Sequence, residues 1–387
     1  MPDGVKLLKL IPFKEDEKIG NAYHQPVLVS MEQGFTHAAA SAGAFALNAA
    51  VPAVMQDAQV GAYQILLRSS LDYESAARAA SSKAAFVKAT ELLVTNMKMA
   101  ATKRSEIGVL YGQSGLGIVA STSANGSDLD ITFTAASFAP GIWIGSESMK
   151  LDVYNGDSQI NTNAAVVVKA TDIDNKKITV SGNATDLGNI AGTHTLYFYG
   201  AYGKEMAGLD KIITNTGTLF NISATTYNVW KGNSYGAGSA TLSLAKISKA
   251  ISKAANRGLE EKTYCFVSNT TWADLMTDMA ALRKFDASYS NNEMQNGSRF
   301  IKFFAQTGEI EIVPSIYVKE GEAFIFPKTI SRIGSTDVTF NIPGMSEQFF
   351  LHLPSNAGYE LRVYSAFSVF CPYPARMVKI TDIVNNS

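Results

Sequence analysis

The sequence predicts an α+β chain, and three observations carry that expectation. Between Arg78 and Tyr111 runs a proline-free stretch in which Phe86, Leu93, Met97, Ala100 and Ile107 recur at three-to-seven spacings. From about Ser123 to Tyr202 the composition turns to Thr, Val, Ile, Asn and Gly, punctuated by Asn155-Gly156 and Asp174-Asn175. Beyond that, helical and strand patterns alternate to the end of the chain.

Residues 1–34 read as an extended arm with a short strand around Val27 to Met31. From Phe35 to about Tyr73 the chain is poor in charge and alternates only weakly near its end, "VGAYQILLRSSLDYE", which fits a long two-stranded loop. This arm and loop show no strong core pattern of their own. The 78–111 stretch is the best helix, about 50 Å long at the standard rise. Lys88 with Glu91 and Lys103 with Glu106 fall one turn apart, as on an outer face, and Gly112 is a suitable stop. In the next segment "MKLDVYNG", "AAVVVKATDIDNKKITVSG" and "HTLYFYG" are short strands at regular intervals, as in a small barrel or sandwich. Leu244, Ile247, Ile251 and Ala254 then predict a helix over Thr241 to Arg257, closed by Gly258. "TYCFVS" is a buried strand, Trp272, Leu275, Met279 and Leu282 mark a second amphipathic helix, and "IEIVP" and "EAFIFP" are strands ending at prolines. Last comes "GYELRVYSAFSVFCPYPARMVKI", two strand-like runs separated by Pro372 and Pro374. Both faces of its first run carry apolar residues, so neither face is built for water.

Composition narrows the function. At 387 residues the chain can bury a large core. Its 33 Lys and Arg balance 34 Asp and Glu, which gives no global field for nucleic acid or an acidic membrane surface. Cys265 and Cys371 lie in apolar runs, as buried thiols do and disulfide frameworks do not. The opening "MPDGVKLLKLIPFKEDEK" lacks the apolar core of a secretory signal. The uncharged stretch from Gln33 to Gln56 is rich in Ala, Gly and Ser and contains His37, Asn48 and Pro52, a poor composition for a membrane span.

"GNSYG", Gly232 to Gly236, matches G-x-S-x-G, with Ser234 as nucleophile and His352 downstream as its base. A nucleophile elbow needs a buried strand running straight into a helix. Here the preceding "SATTYNVW" is polar and "AGSAT" intervenes, so a surface loop is expected. "GQSGLG" follows a helix where a phosphate loop precedes one, and reads as a helix stop. "DIDNKK" puts lysines where a calcium loop needs a ligand and a glycine, and reads as a hairpin turn. His24, His37, His194 and His352 show no metal spacing. No catalytic residue, cofactor or metal is expected, and a self-assembling structural chain is what remains.

The order of elements resembles the Hong Kong 97-type fold of tailed-bacteriophage major capsid proteins. So does the wording at "QILLRSSLDYESAARA", "KRSEIGVLYGQSGLG", "GAYGKEMAGLDKII", "NTTWADLMTDMAALRKFD", "EGEAFIFP" and "LPSNAGYELRVYSAFSVFCPYPARMVKI". The resemblance covers most of the chain. It implies an N-terminal arm at 1–34, an E-loop at 35–77, a peripheral P-domain with the spine helix at 78–122, an inserted β-module at 123–205, an axial A-domain at 206–344 and P-domain C-terminal strands at 345–387. The terminal run would be a returning strand pair along the spine helix. The implied function is an icosahedral shell of hexamers and pentamers in the virion, assembled in the host cytoplasm around double-stranded DNA that it contacts non-specifically. The implied partners are copies of itself, a scaffolding protein and a portal, with a decoration protein left open, and no membrane. An encapsulin-like nanocompartment is the alternative of the same fold, and a serine hydrolase using Ser234 the alternative of another class. Interface residues expected on this basis are Phe35, Phe45, Leu66, Leu67, Arg68, Asp72, Tyr73, Glu74 and Arg78. The charged ones would form inter-subunit or loop-base ion pairs, or remain solvated. Some members of the family join subunits through an E-loop lysine. Here no lysine occurs between Lys18 and Lys83.

Overall fold

The long helical pattern becomes a single spine helix, Lys83–Tyr111, of 29 residues and so about 44 Å. It belongs to a computed structural model that describes residues 5–16, 18–41, 43–72, 83–283, 301–341, 350–353 and 356–386. The helix stops as its glycine requires. The Gly112 N–H still bonds to the Gly108 carbonyl, but Gln113 and Gly115 take positive φ and turn the chain away. A side chain at Gly115 would collide with Thr195, so this turn needs its glycine for space as well as for conformation.

Three sheets surround the helix. In the first, Gly358–Phe370 takes Tyr63–Asp72 antiparallel along one edge, while Ser331–Thr339 and Phe350–His352 share the other. Phe13–Glu15 adds parallel to Ser331–Thr339 at the margin. Leu361 and Val363 of the long strand meet Met97 and Ala101 of the spine helix, with Leu67 packed alongside. On the opposite face, Phe370 packs with Trp230, Tyr23 and Val27. This is why the strand has no solvated face.

The second sheet runs through Gly117–Asn125, Asp128–Phe133, Lys177–Ser181, Val166–Asp172 and Lys150–Asn155, and closes when Thr195–Phe198 pairs with both the first and last of these. The module is thus a closed small barrel. Its inward residues, Ile131, Leu151, Val153, Val168, Ile178 and Leu196, join the same apolar core as the end of the spine helix. Its first strand begins at Gly117, upstream of the compositional change at 123.

The third sheet is six-stranded, in the order Asn233–Ala240, Val378–Ile383, Ala323–Pro327, Thr263–Val267, Gly308–Pro314, Ile301–Ala305. The helix Leu244–Ala255, capped by Ser243, and the helix Asn269–Arg283 supply Ile247, Ile251, Ala254 and Leu275 against Cys265, Val267, Ile312 and Ile380. The alternate residues Phe266, Val313, Phe324 and Phe326 face the spine-helix core. Both faces are covered, which explains the uninterrupted burial of Thr263–Val267.

Four expectations are corrected. The run from Gly358 to Ile380 is not a strand pair: Gly358–Phe370 lies in the first sheet and Val378–Ile383 in the third. The short turn Pro374–Arg376 carries the chain across instead of back, and prolines cannot continue a ladder. "GNSYG" is not a loop but the start of an edge strand, because parallel pairing with Val378–Ile383 supplies the partner its polar sequence did not reveal. The start of the arm is not extended: Leu7–Leu10 forms a helical turn, with Leu7, Leu8 and Ile11 buried. Glu106 is not on an outer face; it is fully buried beneath that turn. Lys103, its expected partner, bonds the Ile144 carbonyl instead, at 2.7 Å.

Candidate subunit interface

Tyr23–Ser30 and Val54–Val60 form an antiparallel ribbon, paired from Tyr23↔Val60 to Ser30↔Val54. Alternation sorts its side chains. Tyr23, Val27, Ala58 and Val60 point inward onto Trp230, Ile333 and Phe370, while the paired Leu28 and Met55 point outward and stay exposed. Past Ser30 the two chains continue as a narrow loop. Gln33 N–H donates to the Val51 carbonyl, and Asn48 donates from its backbone to Thr36 Oγ1 and from Nδ2 to the Phe35 carbonyl, both at 2.8 Å. Gly34 allows this approach, since a Cβ there would lie 3.0 Å from the Val51 nitrogen.

The loop carries its apolar side chains into solvent. Met31, Phe35, Phe45 and Leu47 are 73, 69, 52 and 79% exposed. Scattered exposed apolar residues are ordinary, but a projecting loop that presents several large ones together marks a surface that is covered in use. Phe35 and Phe45 were both expected at an interface.

At the loop base the strand Tyr63–Asp72 shows clear alternation. Gln64, Leu66, Arg68 and Ser70 are exposed and the intervening residues half-buried. Leu66 is therefore outward, and Leu67 turns into its own subunit against the spine-helix cluster. Arg68 stands opposite Arg362, whose Nε donates to Glu360 Oε1 at 2.6 Å. Glu360 is held below the ordinary carboxylate range first by that bond and then by the two nearby guanidinium charges. Arg68 thus belongs to an ion cluster at the loop base. The backbone of Asp72 pairs with Gly358; Tyr73, Glu74 and Arg78 lie outside the described residues.

Other candidates do not come together. Ser234 and His352 are in different sheets, and the Ser234 carbonyl is taken by Lys253 Nζ at 2.7 Å. In "DIDNKK", Asp172 accepts from the Asn175 N–H across a tight turn at Lys176, whose φ is positive. His24 pairs with Asp57 at 2.6 Å, and buried His194 accepts from the Ala191 N–H. Among the described residues no group of three His, Cys, Asp or Glu side chains could hold a metal, and no helix is long and apolar enough to cross a membrane.

No protein-family model matches the sequence. No curated protein matches it either. Solved structures do. A chain of the cyanophage A-1(L) capsid asymmetric unit aligns over 97% of this chain and 92% of its own, with a TM-score of 0.55 at 11% identity. A chain from the capsid of a native GTA particle aligns over 99% and 92%, with a TM-score of 0.51 at 6% identity. This chain shares the fold of those capsid chains. The likeness spans nearly the whole of this chain. Of the residues the resemblance suggested for an interface, Phe35, Phe45 and Leu66 are exposed. Leu28, Met31, Leu47 and Met55 are exposed as well and were not among those expected; for Leu28 and Met55 it is the strand register that sets the outer side.

Proposed function

We propose that this chain is the major capsid protein of a tailed phage, assembling with its own copies as hexamers and pentamers into the shell that encloses double-stranded DNA. The observation that carries the reading is the exposed apolar loop on a chain whose whole length aligns with capsid subunits. One copy would lay that loop and arm on its neighbours, burying far more than a standard interface of about 1,600 Å². In this reading residues 1–34 are the N-arm, 35–77 the E-loop, 206–344 the A-domain, and the spine helix with the long strand the P-domain of a Hong Kong 97-type subunit. The barrel would be an insertion that stiffens the subunit, since it shares the spine-helix core. Phe35, Phe45, Leu66, Arg68, Asp72, Tyr73, Glu74 and Arg78 would lie at or beside inter-subunit contacts, with Leu67 supporting them from within. A scaffolding protein and a portal would take part in assembly in the host cytoplasm. No enzymatic activity is assigned.

Electron microscopy of the purified protein tests this directly. Closed icosahedral shells are expected, and a protein that stays monomeric at high concentration would refute the reading. Packaged double-stranded DNA in the source particle separates a phage head from an encapsulin-like compartment, which would hold protein cargo. The missing loop lysine adds a second expectation: shells dissolved in hot detergent should run as a single 41.5 kDa band, without a ladder of covalent oligomers.

A further inference from the structure

A cavity of about 630 Å³ opens between the loop-base strand, the second half of the spine helix and the barrel, walled by Ile65, Leu67, Met99, Ile142, Met149 and Phe198. The wall is largely apolar, yet it carries Arg104. That guanidinium lies over the Phe198 ring and is mostly buried; burial lowers its pKa to about 9, although Glu205 opposes the shift from beyond bonding distance. Among the described residues it makes no hydrogen bond or ion pair. The other charges at the cavity are accounted for. Lys103 Nζ donates to the Ile144 carbonyl with Glu147 as its charge partner, and Glu147 accepts from Thr171 Oγ1. A desolvated guanidinium without an acceptor is costly, and its planar fork is suited to a carboxylate.

The same chain carries the complement. Glu32 is the one carboxylate between Ile19 and Gln56, exposed, flanked by exposed Met31 and Phe35, and without a hydrogen bond or ion pair among the described residues. We propose that this cavity is the receptor for the loop of a second copy, with the Glu32 carboxylate bonded to Arg104 and its apolar neighbours against the cavity wall. This rests on the shell reading and specifies one contact within it. An exposed segment with a single carboxylate matches a largely apolar cavity whose guanidinium, though it feels the Glu205 charge, has no bonded acceptor among the described residues.

The test is a cysteine pair, Glu32→Cys with Ala100→Cys, in the full-length chain. Cys265 and Cys371 give little background, because both are buried and burial pushes their thiols up to about 12. Mild oxidation of assembled particles is expected to give disulfide-linked oligomers that run as a ladder on a non-reducing gel, and either single variant should give monomer. Absence of the ladder from particles of normal appearance would overturn the contact while leaving the shell reading intact. Failure of the unmodified protein to form particles would overturn the shell reading itself. As a second measurement, Glu32→Gln and Arg104→Met should each lower the denaturant midpoint of particle dissociation, and the double variant should fall no further than the worse single one. Additive losses would overturn the pairing. Glu32→Gln should leave the melting of the unassembled subunit unchanged, because the residue is exposed there.

Discussion

Three backbone N–H groups at the start of the chain converge on one carboxylate. Lys6, Leu7 and Leu8 donate to Glu106 of the spine helix at 3.0, 2.7 and 2.8 Å, and Arg332 secures the same turn by donating to the Leu8 and Ile11 carbonyls. These are orphan donors of a helix start, met by a side chain about a hundred residues away. Burial outweighs the three bonds and the Arg332 charge, and raises the Glu106 carboxyl to about 7. The folded state therefore holds this proton more firmly than the unfolded chain does. The associated stability is fully present below about pH 4.5 and is lost as pH rises through about 7. Glu106→Gln removes the titration, so the stability of the natural protein relative to this variant should fall by on the order of 3 kcal/mol between those limits. Urea unfolding at a series of pH values checks this, and a pH-independent difference would contradict it. The sequence placed Glu106 beside Lys103 on an outer face because helical spacing reports only neighbours on the same helix. Nothing local announces a partner at residues 6–8.

At the scale of elements, the tightest joint is where the spine helix ends. The Gly208 N–H donates to the Gly112 carbonyl at 2.9 Å, and a Cβ on Gly208 would lie 2.6 Å from the Gly112 nitrogen and 2.8 Å from the Leu110 carbonyl carbon. The clash is with backbone, which cannot swing aside as a side chain can. Gly208→Ala should therefore cost about 1–3 kcal/mol, as overpacking does, visible as a lower denaturation midpoint of the unassembled subunit. Gly217→Ala, with open space around it, should cost much less. Elsewhere, many elements were legible. The helix over Leu244–Ala255, the buried strand Thr263–Val267 and the hairpin at Asp172–Lys177 all follow from periodicity and turn residues within a dozen positions. What was not legible was which strands pair. Asn233–Ala240 is polar and glycine-rich, and it is a strand because Val378–Ile383 lies beside it. Pro372 and Pro374 end one strand in the sequence, but they do not say which sheet receives the next. Partner choice is set by contacts across more than a hundred residues, which propensity does not register.

For the whole molecule, the low charge of the loop from Phe35 to Tyr73 pointed to a surface meant for covering. The register of the ribbon then divides that surface: one side roofs Trp230 and Phe370, the other is free. None of the described residues of the loop beyond Ser30 and Val54 joins the apolar clusters of the subunit. Among the described residues, it is held by its own cross-strand hydrogen bonds. Folding and assembly should therefore be separable. Replacing residues 33–51 with Asn-Gly closes the ribbon with a two-residue turn suited to its twist and leaves Tyr23, Val27, Ala58 and Val60 in place. The shortened chain should unfold at the same temperature as the unassembled natural subunit, within the few tenths of a kcal/mol usual for surface changes. It should also remain monomeric at concentrations where the natural protein forms particles. Melting curves and analytical ultracentrifugation on the two proteins, side by side, decide the matter. A large loss of thermal stability would mean the loop belongs to the subunit core. Shells of normal size from the shortened chain would mean that assembly relies on other surfaces.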